Sequence, residues 1–80
     1  MAVKLLFFAQ CAEWLKKREA EIVLEKPTRV GQLLRSHPEL APILEHASLV
    51  KVAVNRRIVD FNEEVNNGDE VAFLPPVSGG

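Results

Sequence analysis

The chain has 80 residues, 48% apolar and 26% charged, a composition that fits one small globular domain and excludes a disordered chain. Ten Lys and Arg against eleven Asp and Glu leave a net charge of −1, without the basic surplus that a nucleic-acid binder needs. The longest basic run, Lys16-Lys17-Arg18, is hemmed in by Glu13, Glu19 and Glu21, so no nucleic-acid partner is expected.

In chain order, residues 3–8 alternate Val3, Leu5 and Phe7 against Lys4, Leu6 and Phe8, which predicts a strand. Residues 11–18 predict a short helix with Trp14, Leu15 and Arg18 within one turn of each other. Residues 21–25 predict a second short strand, stopped by Pro27. Thr28 is then placed to cap a helix carrying Val30, Leu33 and Leu34 at helical spacing, slightly weakened by Gly31. Pro38 breaks that helix, and Leu40, Ile43 and Leu44 repeat the spacing in a second piece with Pro42 in its first turn. Residues 49–54 set Val50, Val52 and Val54 against Lys51 and Ala53, again a strand. Asn55-Arg56 predicts a hairpin turn into a short strand at 57–59, and Asn66-Asn67-Gly68-Asp69 predicts a turn into the last strand, 70–74.

This order predicts an α+β roll, a mixed sheet with a helix packed on one face. The first and last strands are the most continuously apolar, so they are expected to lie centrally, side by side and parallel. No apolar run approaches a membrane span, and residues 1–4 lack the start of a signal peptide. A single cysteine cannot close an internal disulfide, so a cytoplasmic domain free of membrane is expected. His37 and His46 lack metal-ligand spacing, so no metal site is expected. Cys11 follows an apolar strand with no nearby basic cluster before Lys16, which favours a packed, inert thiol over a persulfide carrier. Arg56 and Arg57 read as solvated turn charges or as a contact to an acidic partner. So small a core leads us to expect a partner that covers part of the surface.

Two features point to function. Lys4 marks the outward face of the first strand and Glu70 that of the last, yet Leu6, Phe8, Ala72 and Leu74 share those faces. Either a residue such as Trp14 folds over this patch, or it binds a protein. After the last strand come Pro75-Pro76-Val77-Ser78-Gly79-Gly80. The prolines end sheet pairing and hold the following residues extended, and the small residues after them can thread a narrow channel. A terminal carboxylate is a poor electrophile until it is adenylated, after which a sulfur or nitrogen nucleophile can displace AMP.

Val-Lys-Leu-Leu-Phe-Phe-Ala-Gln at 3–10, Ala-Val-Asn at 53–55 and Gly-Asp-Glu-Val-Ala-Phe-Leu-Pro-Pro-Val-Ser-Gly-Gly at 68–80 resemble the small subunits of molybdopterin synthase, the MoaD family. The resemblance spans nearly the whole chain, with a generic middle at 11–48 and a highly specific C-terminal block. It implies a ubiquitin-like β-grasp domain over residues 1–75 and a Gly-Gly tail at 76–80. It implies that a ubiquitin-activating-like adenylyltransferase uses ATP to adenylate Gly80. A persulfide donor then supplies sulfur for a thiocarboxylate, and Gly79 helps to thread the tail. The large synthase subunit would receive that tail, and the sulfur would pass to cyclic pyranopterin monophosphate to build the molybdopterin dithiolene. The implied assembly is a heterotetramer, two large subunits with a small one at each end. The small subunit binds no cofactor and is one part of a sulfurtransferase. Phe8, Ile58 and Leu74 match hydrophobic contact positions of the family, and Pro75, Pro76 and Val77 are expected to join them. Leu74 stands where some relatives carry an aromatic. Sulfur carriage into thiamine thiazole or tRNA, a lysine-linked protein modifier and a non-covalent binding module with an idle tail stay open, though the double proline favours the pterin pathway.

Overall fold

A computed structural model describes residues 1–76. In β1 (Val3–Phe7) the alternating side chains divide between two environments: Val3, Leu5 and Phe7 are buried, Lys4 is exposed and Leu6 half-buried. β2 (Glu19–Ile22) pairs antiparallel on one side of β1, and β7 (Glu70–Leu74) pairs parallel on the other. β4 (Lys51–Val54) lies antiparallel beyond β7, and β5 (Arg57–Val59) antiparallel beyond β4. The five-stranded order is β2-β1-β7-β4-β5, so the first and last strands are parallel central neighbours, as their apolarity predicts. Phe7 and Phe73 stand opposite each other in this register and stack with ring centroids 5.9 Å apart at the base of the core.

Three short helices close the inner face: α1 (Gln10–Leu15), α2 (Val30–Ser36) and α3 (Ala41–Glu45). Cys11, Val30, Leu33, Leu34 and Ile43 pack from them into one cluster with the inward residues of the sheet. Pro38–Leu40 forms a 3-10 turn before α3, and Pro42 sits in the first turn of α3 as predicted. The architecture is a ubiquitin-like β-grasp: a mixed sheet with its helices on one face. Among the described residues no helix is long and apolar enough to cross a membrane.

Four local expectations are corrected. The first helix stops at Leu15 rather than Arg18, because Lys16 turns left-handed at φ 61° and caps it by donating to the Ala12 carbonyl. Arg18 thereby leaves the helix, and its carbonyl accepts the Phe7 N–H at 2.9 Å. The second strand is Glu19–Ile22, so it starts at 19 rather than 21 and ends at 22 rather than 25, and Val23 is 73% exposed. Thr28 caps nothing: it sits in a two-residue strand, β3 (Thr28–Arg29), and its Oγ1 donates to the Lys26 carbonyl. The start of α2 is satisfied instead by backbone carbonyls, Val30 N–H to Glu63 at 3.0 Å and Gly31 N–H to Phe61 at 2.8 Å. The fourth correction is an omission: β3 pairs with β6 (Glu64–Val65), a ladder too short to carry a sequence period.

Candidate functional site

The register of the sheet assembles the outer face. Glu19 lies opposite Leu6, Leu6 opposite Ala72, Ala72 opposite Ala53, and Ala53 opposite Ile58, so one row crosses all five strands. From Leu6 to Ile58 that row is apolar. Leu74 lies two residues further along β7, and Phe8 continues β1 past its end, its N–H donating to the Phe73 carbonyl at 3.1 Å. Phe8 is 45% exposed and Ile58 66%, large values for such side chains on a strand face. The opposite half of the face carries a charged row, Glu21, Lys4 and Glu70. The apolar strip therefore gathers at the end of the β1–β7 pair from which the chain leaves the sheet. Pro75 is half-buried there and Pro76 exposed. Val77, Gly79 and Gly80 lie outside the described residues.

Trp14 does not cover this strip. Its ring stacks on His46, centroids 4.1 Å apart and planes 15° apart, within the helical layer on the other side of the sheet. Both histidines are tied up locally: the Nδ1 of His46 lies 2.9 Å from the Pro42 carbonyl, and the Nδ1 of His37 2.9 Å from the Leu33 carbonyl. Among the described residues no group of His, Cys, Asp or Glu could hold a metal ion. Cys11 is wholly buried, and burial pushes its thiol up from the ordinary value of 9.0, so it stays protonated and out of reach. Arg56 and Arg57 are exposed at the hairpin, where Asn55 and Arg56 both take positive φ.

Of the residues singled out from the sequence, Phe8, Leu74 and Pro75 meet at one end of the strip, while Ile58 lies at its far side on an edge strand. The resemblance alone pointed to Ile58, although the two-residue turn Asn55-Arg56 carries the information. Such a turn fixes Val54 opposite Arg57 and hence Ala53 opposite Ile58, on the outward face. A groove of about 880 Å3 beside Phe8 had no sequence signal; its lining includes apolar Leu6, Ala9 and Ala12 and basic Lys16, Lys17 and Arg18.

A ubiquitin-like sheet with an apolar strip beside the end of its last strand defines a β-grasp domain with a candidate docking face. The chain belongs to the ThiS family, which it matches over residues 5–80. It is 40% identical to the molybdopterin synthase sulfur carrier subunit of Escherichia coli, with 98% of this chain and 99% of that protein covered. It is 31% identical to the human protein of the same name, over 98% and 93% of the two chains. Among solved structures, SAMP1 from Haloferax volcanii superposes with a TM-score of 0.79 at 27% identity over the full length of both chains. A complex of subunits 1 and 2 of molybdopterin-converting factor from Helicobacter pylori contains a chain that superposes at 0.65 with 25% identity, again over both full lengths.

Proposed function

We propose that this chain is the sulfur carrier subunit of a molybdopterin synthase and that its reacting group is the Gly80 carboxylate. An adenylyltransferase joins that carboxylate to AMP from ATP and releases pyrophosphate, which makes the carbonyl carbon electrophilic. The terminal sulfur of a persulfide donor attacks that carbon, and AMP leaves with one former carboxylate oxygen. A thiol then cleaves the acyl disulfide, ending in a disulfide with the donor's remaining sulfur, and leaves the thiocarboxylate on Gly80. In the active site of the large subunit this sulfur attacks a side-chain carbon of cyclic pyranopterin monophosphate, and the carbon–oxygen bond there breaks as the oxygen group leaves. Hydrolysis of the resulting thioester restores the carboxylate, and a second transfer completes the dithiolene.

The observation that carries this reading is the position of the strip. It ends in Phe8, Leu74 and Pro75, where the parallel β1–β7 pair releases the chain toward Gly80. A partner that grips the strip thus fixes the tail's point of departure, and the tail's length then sets where the sulfur arrives. The large subunit as partner is supported by the two-subunit Helicobacter pylori complex, and the pterin pathway by the full-length relatives. The need for an adenylyltransferase follows from the poor electrophilicity of a carboxylate, and the persulfide donor rests on the resemblance to the family.

Deleting Gly80 tests the mechanism. A charged terminus survives on Gly79 but falls about 3.3–3.6 Å short, as much as the whole approach distance of about 3–3.5 Å between reacting atoms. The shortened protein should bind the large subunit normally while neither accepting nor delivering sulfur, read by intact mass after ATP-dependent sulfuration and by a binding titration. Normal thiocarboxylate formation and turnover in the deletion protein would sink the mechanism. The superposition on SAMP1, a small archaeal modifier protein, favours a second reading, a lysine-linked modifier. The same mass measurement separates the two, since a carrier exchanges oxygen for sulfur and a modifier forms higher-mass adducts.

A further inference from the structure

Ala9 has φ 46° and ψ −120°, the angles of the first central residue of a type II′ turn. The turn is Phe8-Ala9-Gln10-Cys11, closed by the Cys11 N–H on the Phe8 carbonyl at 2.9 Å. Glycine dominates this position because a Cβ is strained there. The surroundings hold the turn in place: Cys11 is wholly buried, and the Ala9 carbonyl accepts the N–H groups of Ala12 at 3.0 Å and Glu13 at 3.2 Å to open α1. A glycine would keep each of these bonds without the strain. The Ala9 methyl adds nothing to the core either, for the residue is exposed. It lines the groove beside Phe8, continuous with the apolar strip.

We infer that the Ala9 methyl is a partner contact, and that the binding surface continues from Phe8 round the end of β1 into this groove. The inference rests on the sulfur-carrier reading for its occupant, the large subunit of the synthase. The segment seated there is apolar where it meets Leu6, Phe8, Ala9 and Ala12. It is acidic where it meets Lys16, Lys17 and Arg18, which outnumber Glu13 and Glu19 in the lining. Backbone strain gathers at binding sites, and at Ala9, unlike the helix cap at Lys16 or the hairpin at Asn55 and Arg56, it lies directly beside the exposed Phe8 ring.

Ala9→Gly separates contact from folding because the two effects take opposite signs. Release of strain should raise Tm by about 4–8 °C. Loss of one buried methyl at the interface should weaken binding to the large subunit about four-fold. Ala9→Glu, which fills the groove from an exposed position, should fold normally and lose binding altogether. The measurements are thermal unfolding of the free protein and titration with the large subunit. An Ala9→Gly protein with unaltered affinity, or with no rise in Tm, would overturn the inference, as would tight binding by Ala9→Glu. Failure of the unmutated protein to bind the large subunit would overturn the carrier reading as well, whereas normal binding with an indifferent Ala9 removes only the contact.

Discussion

At Cys11 a sulfur-handling protein keeps its only thiol where no reagent reaches it. The side chain is wholly buried at the start of α1, and desolvation raises its pKa because the thiolate would sit among apolar neighbours. The folded state therefore holds the thiol proton more tightly than the unfolded chain does. The stability tied to this group is complete below the ordinary value of 9.0 and declines as pH rises above it toward the folded value. Cys11→Ala should retain sulfur loading in full and lose that alkaline decline, seen by comparing Tm between pH 8 and pH 10.5 in the two proteins. Cys11→Ser should load sulfur equally well but lose about 1–3 kcal/mol of stability, since its hydroxyl would enter a site without partners. A well-folded Cys11→Ser protein unable to form thiocarboxylate would make the thiol a relay.

Among the secondary elements, those built on a clear alternation were legible, and those held by other parts of the chain were not. β1 and β7 announce themselves because each sets buried residues against outward ones at a period of two, and their shared apolarity places them together. In β2 the apolar run Ile22-Val23-Leu24 carries the sequence pattern past the strand's true end at Ile22. What holds Leu24 is remote: its N–H donates to Asn67 Oδ1 at 2.8 Å, and Asn67 Nδ2 donates back to its carbonyl at 2.7 Å. Asn67 was legible as a turn residue, but a clamp across 43 positions has no local signature. The start of α2 is the same case, since Thr28 looked like a cap while the carbonyls of Phe61 and Glu63 do the work. Gly31 joins that arrangement through its N–H; a Cβ there would stand at ordinary contact distance, 3.4 Å, from the Phe61 carbonyl oxygen. Thr28→Ala should therefore cost well under the ~1 kcal/mol typical of a lost cap, a Tm change of no more than about 2 °C. A loss of a full cap's worth would mean that the Thr28 hydroxyl reaches α2 in solution.

For the molecule as a whole, the proposed docking surface is the outer face, and its width can be tested. Three strand spacings of about 4.8 Å separate β1 from β5, so Phe8 and Ile58 stand at least about 14 Å apart. A small contact could cover one of them; only a partner lying across the whole sheet reaches both. Ala72 and Ala53 between them keep the strip flat, which suits such a partner and gives no pocket for a narrow one. Both large side chains are substantially exposed, so truncating either should barely disturb the fold. Phe8→Ala should weaken binding to the large subunit by about 2 kcal/mol, as expected for an aromatic anchor, and Ile58→Ala by about 1 kcal/mol. Sites this far apart with no shared neighbours act independently, so the double variant should lose the sum to within about 0.5 kcal/mol. Titration of the large subunit with the four proteins, each checked by circular dichroism, reads the outcome. If Ile58→Ala leaves the affinity unchanged, the partner ends short of β5 and the interface is confined to the β1–β7 pair and the groove beside it.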